Sequence, residues 1–191
     1  MCRLGLWDFP ELFFGDADKL SENYPGNIIY NAVCTGKYFI HNLKYTDRSL
    51  MQAARDRHRK NKDELSISAG EGQPLETIHV AQGYTRCTCL PVTDDSFITS
   101  DMGIAGKLIS AGADVLTIKS GYIELPGFDY GFIGGCAGHL FINEKPVVIF
   151  NGNLPSHPDF PQISSFIQER GIEILFFEDY PLTDIGSILA D

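Results

Sequence analysis

Three times along the chain, two short apolar runs flank a small polar turn, and a helix-spaced segment and another apolar run follow. The first pair covers residues 28–42 and turns at Thr35, Gly36 and Lys37. The second covers 86–101 and turns at Thr93, Asp94 and Asp95. The third covers 131–151 and turns at Asn143, Glu144 and Lys145. Apolar runs bounded by such turn residues predict β-hairpins. Helices are predicted over 49–55, 103–111 and 160–170. In the last two, Ile104, Leu108 and Ile109, and likewise Ile163, Phe166 and Ile167, recur at three- and four-residue spacing, which gives each helix one apolar face. Gly112 and Gly171 follow as helix stops. The continuous apolar runs 114–118 and 173–177 predict strands covered on both sides.

The unit is therefore strand, strand, helix, strand, and it recurs with a period of about 50–60 residues. Three modules span approximately 27–80, 81–130 and 131–185 of a single domain. Repeated α/β units of this size predict a radial or stacked arrangement around a shared core, with a single flavodoxin-like sheet as the alternative. The first module carries a polar, glycine-bearing insertion over 61–77 that reads as a loop. Residues 2–18 read as a helix-and-strand remnant, and 183–189 as the opening strand of a fourth module.

Charge narrows the field of partners. Fifteen basic against twenty-five acidic residues give a net charge of −10, which repels nucleic-acid phosphates and anionic membranes alike. The basic run 55–62 reads as a solvated helix end. The longest apolar runs fall short of a membrane span and the N-terminus lacks a signal-peptide pattern, so the expectation is a cytoplasmic protein. Five cysteines, an odd number, argue against a disulfide framework. Cys87 and Cys89 would share one face of a strand, with no second pair at zinc spacing, and read as small buried hydrophobes.

The phrases Ile-Thr-Ser-Asp-Met-Gly-Ile-Ala (98–105), Leu-Pro-Gly-Phe-Asp-Tyr-Gly-Phe-Ile-Gly-Gly (125–135) and Pro-Leu-Thr-Asp-Ile-Gly-Ser-Ile (181–188) resemble those of an uncharacterised bacterial family assigned to the pentein, or guanidino-group-modifying-enzyme, fold. The resemblance covers about residues 25–190 and implies an α/β fold: a pentein-like β/α propeller of repeated ββαβ modules. Three modules and the start of a fourth leave three readings: compressed modules, a gap covered by another chain, or the favoured one, a shortened and incomplete ring of fewer than five. An incomplete ring has open strand edges, which a homodimer would cover.

For pentein enzymes the resemblance implies a nucleophilic cysteine, a histidine general acid/base, and carboxylates gripping a guanidinium near the axis. The nucleophile's segment near the C-terminus corresponds here to 183–191, which contains no cysteine. Cys136 and His139 are the remaining catalytic candidates, although in an extended strand positions three apart face opposite ways. The glycines of 131–138 fit neither G-x-G-x-x-G nor a P-loop, so no nucleotide or other cofactor is expected; they read as places of close backbone approach. The repeat brings polar residues at equivalent strand ends to a hub: Asn31, Asp101, Asp129, Asn153 and Asp184. The same residues also suit helix caps and turns, Asp101 above all. The leading expectation is a small cationic or guanidino-type ligand at an acidic hub. The alternatives are a non-catalytic protein-binding module of the same fold and a cysteine-dependent hydrolase or transferase on guanidino compounds.

Overall fold

A computed structural model describes residues 14–65 and 74–188. Among these residues it is a mixed α/β structure with four α-helices and three separate three-stranded sheets. The first module is β1 (Val33–Cys34), β2 (Tyr38–His41), α1 (Arg48–Leu65) and β3 (Glu76–His79). The second opens with a one-turn helix, α2 (Thr85–Thr88), and continues through β4 (Cys89–Pro91), β5 (Ser96–Thr99), α3 (Met102–Ser110) and β6 (Asp114–Thr117). The third is β7 (Ala137–Ile142), β8 (Lys145–Phe150), α4 (Phe160–Gln168) and β9 (Glu173–Leu175). In every sheet the first two strands pair antiparallel and the third joins the second in parallel across the helix.

Local chemistry sets these boundaries. The β7–β8 hairpin closes on Asn143 and Glu144, whose φ angles of 49° and 65° place both in the left-handed backbone conformation of a two-residue turn, which suits the right-handed twist of the paired strands. Lys145 therefore opens the return strand and is not part of the turn. Gly112 and Gly171 adopt φ of 81° and 71° at the predicted helix stops, where any larger side chain would strain the left-handed backbone. The first helix runs further than its pattern suggested. Residues 61–65 belong to α1, and the expected loop from 61 shrinks to a connection whose residues 66–73 lie outside those described; Glu76 and Thr77 are already strand. The basic run 55–62 is accordingly part of the helix body. Most of the expected remnant over 2–18 also lies outside the described residues, and its described end is a single 3-10 turn, Ala17–Lys19.

Other expectations are corrected at the module entries. Residues 85–88 form α2 because side chains supply helix-type partners: Thr88 Oγ1 donates to Tyr84 O (2.7 Å), and Asn31 Oδ1 accepts from the Arg86 and Cys87 N–H groups (2.8 and 3.3 Å). Cys87 and Cys89 are thus not two positions of one strand, although both are buried. Residues 131–136 are likewise a turn, and the third hairpin begins only at Ala137. β6 and β9 are half-exposed edge strands, not covered on both sides. Residues 183–188 form isolated parallel bridges, Thr183 to Glu124 and Ile188 to Gly138, instead of a further strand.

Two apolar cores flank the middle sheet. Cys89 and Phe97 face one core, with Val33, Tyr38, Ile40 and Ile78 of the first sheet and Ile104 and Leu108 of α3. Their strand neighbours Leu90 and Ile98 face the other core, with Ala137, Val148 and Phe150 of the third sheet and Ile163 and Ile167 of α4. The period-two alternation of a strand distributes the pairs between the two sides.

Candidate functional site

Backbone hydrogen bonds tie each module entry to the next. The Arg86 N–H donates to Asn31 O (3.1 Å), Gly135 N–H to Cys87 O (2.9 Å), and Ile185 N–H to Gly135 O (3.1 Å). Four segments, spread over the three modules, are thereby drawn together. The glycines between them are required by space: a Cβ at Gly134 would collide with the Arg86 carbonyl, and one at Gly135 with the Asp184 carboxylate.

Where these entries meet the loop over 121–132, a cleft of about 550 Å³ opens. Asp129 and Asp184 line it together with Cys87 and five aromatic rings: Tyr24, Tyr84, Phe128, Tyr130 and Phe132. Tyr24 stacks on Tyr84 (centroids 5.8 Å apart), and Tyr130 meets Phe132 edge to face (6.0 Å). Asp184 is only 5% exposed. Its Oδ2 accepts from Phe132 N–H (2.9 Å) and its Oδ1 from Gly186 N–H (2.8 Å), which holds the carboxylate against the cleft wall. Asp129 is exposed, on a ridge shared with a neighbouring cleft of about 470 Å³.

Two of the five hub candidates, Asp129 and Asp184, thus line one cleft. Asn31 stands behind its wall, where Nδ2 donates to Cys87 Sγ (3.3 Å) while Oδ1 holds the start of α2. Asp101 and Asn153 do not line it. Asp101 is the N-cap of α3, accepting from Ile104 N–H (2.9 Å). Asn153 precedes the 3-10 turn Leu154–Ser156, with its own N–H bonded to Tyr180 O (2.9 Å) and a buried Oδ1 that has no partner.

The cysteine candidates have an unreactive setting. Cys136 is fully buried, its thiol donates to Ile133 O (3.2 Å), and burial, reinforced by Asp184, pushes its pKa far above the ordinary range. A thiol that stays protonated at neutral pH is a poor nucleophile. His139 directs Nε2 to the Pro91 carbonyl, and burial lowers its pKa to about 4. Cys87, which borders the cleft, donates to Gly186 O (3.3 Å), and burial raises its pKa as well. The Arg86 guanidinium donates to the carbonyls of Gly134 (2.9 Å) and Ala137 (3.5 Å). Among the described residues no group of three or more His, Cys, Asp or Glu side chains could hold a metal ion. No helix among them is long and apolar enough to cross a membrane.

The aromatic wall is the part of the site that the sequence pattern did not single out. Its signal was present in Gly83-Tyr84 and in Phe128-Asp129-Tyr130-Gly131-Phe132, where rings recur beside the connection glycines. Against known protein families, residues 11–189 match the family described as a family of unknown function (DUF6873), and the chain belongs to it. No curated protein and no solved structure matches.

Proposed function

We propose that this member of a family of unknown function binds a small organic cation in the cleft between its module entries. One observation carries the reading: five aromatic rings and two carboxylates, from segments far apart in sequence, line the same cleft. Aromatic faces attract cations through their quadrupole, and the buried Asp184 and exposed Asp129 carboxylates supply the opposing charge. The net charge of −10 raises the local concentration of such a ligand. Binding without thiol catalysis is the form of the proposal that the buried, protonated cysteines favour.

We further infer that the three modules are consecutive sectors of a pentein-like ring. Support comes from the identical order and pairing of their sheets and from the stepwise backbone bonds between their entries. An experimental structure in which the three sheets share no common axis would overturn this inference. The cation reading is tested by calorimetric titration with agmatine, putrescine and tetramethylammonium, each against a neutral compound of matched size. At least one cation is expected to bind with a Kd below about 10 mM, and Asp129→Asn is expected to weaken it several-fold. No binding by any of the three sinks the proposal.

A further inference from the structure

We propose that the cation taken by this cleft is N-methylated, a quaternary or trimethylated ammonium group, and not a hydrogen-bonding guanidinium or primary amine. The inference rests on the cation reading above and narrows it by counting which polar atoms in the cleft are already committed.

A guanidinium brings five N–H donors in one plane and an alkylammonium three, and each donor taken out of water needs an acceptor. The cleft has few to offer. Each Asp184 oxygen already accepts one backbone bond, Oδ2 from Phe132 and Oδ1 from Gly186, which leaves about one lone pair on each. The Tyr24 hydroxyl donates to Gln82 Oε1 (2.9 Å) and accepts from Gly83 N–H (3.1 Å). Gln82 Oε1 accepts in addition from Tyr84 N–H (3.1 Å). The Cys87 sulfur accepts from Asn31 Nδ2 and donates to Gly186 O. Asp129 alone keeps an open carboxylate, at the exposed rim. A guanidinium seated against the rings could reach the remaining lone pairs of Asp184 and, at the rim, Asp129, and its other N–H groups would face ring carbon. A methylated ammonium has none to satisfy.

What the cleft offers in quantity is ring surface close to negative charge. Phe128 is 74% exposed, Tyr24 53%, Tyr130 40% and Tyr84 39%. Exposed aromatics clustered at one mouth, with Asp129 at its rim and Asp184 in its wall, mark a binding surface, not incidental surface residues. A methylated ammonium spreads its charge over C–H groups, sheds water readily and packs those groups against ring faces, while Asp184 and Asp129 supply the field. Charge complementarity selects it over a neutral group of the same shape.

The test is titration of the whole chain, by calorimetry and by proton NMR of the ring resonances. The probes are choline, tetramethylammonium, agmatine and the neutral isostere 3,3-dimethylbutan-1-ol. Choline and tetramethylammonium are expected to bind about tenfold or more tighter than either agmatine or the neutral alcohol, with shifts confined to the cleft rings. Phe128→Ala, at a position exposed enough to leave folding intact, is expected to weaken choline by about fivefold or more. Agmatine binding as tightly as choline, or tighter, overturns the methylated-ammonium assignment and leaves the cation reading standing. Binding of the neutral alcohol on a par with choline, or no binding by any cation, overturns both. An unchanged choline affinity in Phe128→Ala overturns the assignment to this cleft.

Discussion

His139 carries its proton on Nε2, because the Pro91 carbonyl facing that nitrogen can only accept. A second proton would place a cation where burial resists it, and the ring's pKa falls from 6.5 to about 4. The unfolded chain binds that proton near pH 6.5 and the folded chain only near 4. Stability from the neutral ring is therefore complete above pH 6.5 and is lost as pH falls toward 4. Two to three units of difference correspond to roughly 3 kcal/mol at full extent. His41 and His157 are shifted down by burial too, so the comparison must be with a variant. Urea unfolding of His139→Gln is expected to show a shallower loss between pH 6.5 and 4 than the unsubstituted protein, and equal slopes would refute the assignment. At this scale the sequence was partly legible. The equivalence of module entries singled out Asp129 and Asp184, which do share a cleft. It could not show that Asp184 is bonded by two backbone N–H groups, since Gly186 is its near neighbour but Phe132 lies 52 residues away. The aromatic wall escaped for a similar reason, because a ring beside a turn glycine looks the same whether it faces solvent or a cleft.

Elements were legible where local pattern and tertiary setting agree. The three polar turns, the apolar faces of α3 and α4 and the glycine stops each rest on chemistry within a few residues. Failures occur where partners come from elsewhere. α2 forms at a stretch read as strand because Asn31, a whole module earlier, accepts from its first N–H groups. The turn over 131–136 packs its glycines against Arg86 and Asp184. β6 and β9 have interior-like sequences but stand at sheet edges, a difference that apolar runs do not encode. Asp101 belongs to this scale, since it serves its own helix by accepting from Ile104 N–H. Asp101→Ala is expected to lower stability by about 1 kcal/mol, with Asp101→Asn close to the unsubstituted protein. Cation affinity measured in parallel should not change with either substitution. A tenfold loss of affinity in a folded Asp101→Ala would return this carboxylate to the binding site.

At the scale of the molecule, the repeat gives three similar sheets, yet they are not energetically separate. The middle sheet belongs to both cores through neighbouring residues, Phe97 on one side and Ile98 on the other, each fully buried. α3 reaches the first module as well, where Tyr38 Oη donates to Ala111 O (2.8 Å). Between turns, Thr35 Oγ1 donates to Asp94 O (2.8 Å) and Gly36 N–H to Asp94 Oδ1 (2.7 Å). A chain of independent modules would melt in steps, whereas a shared central sheet couples both cores into one event. Phe97→Ala opens a cavity in the first core and Ile98→Ala in the second, each at a cost of about 2–5 kcal/mol. Both variants are expected to shift one and the same cooperative transition, with calorimetric and van't Hoff enthalpies in agreement. Should either variant split the melt into two transitions, the cores are separate foldons and the sheet between them is only a boundary. A single displaced transition in both means that the cleft, lined by Tyr24, by residues between 82 and 132 and by Asp184 and Gly186, is held by the stability of the whole chain.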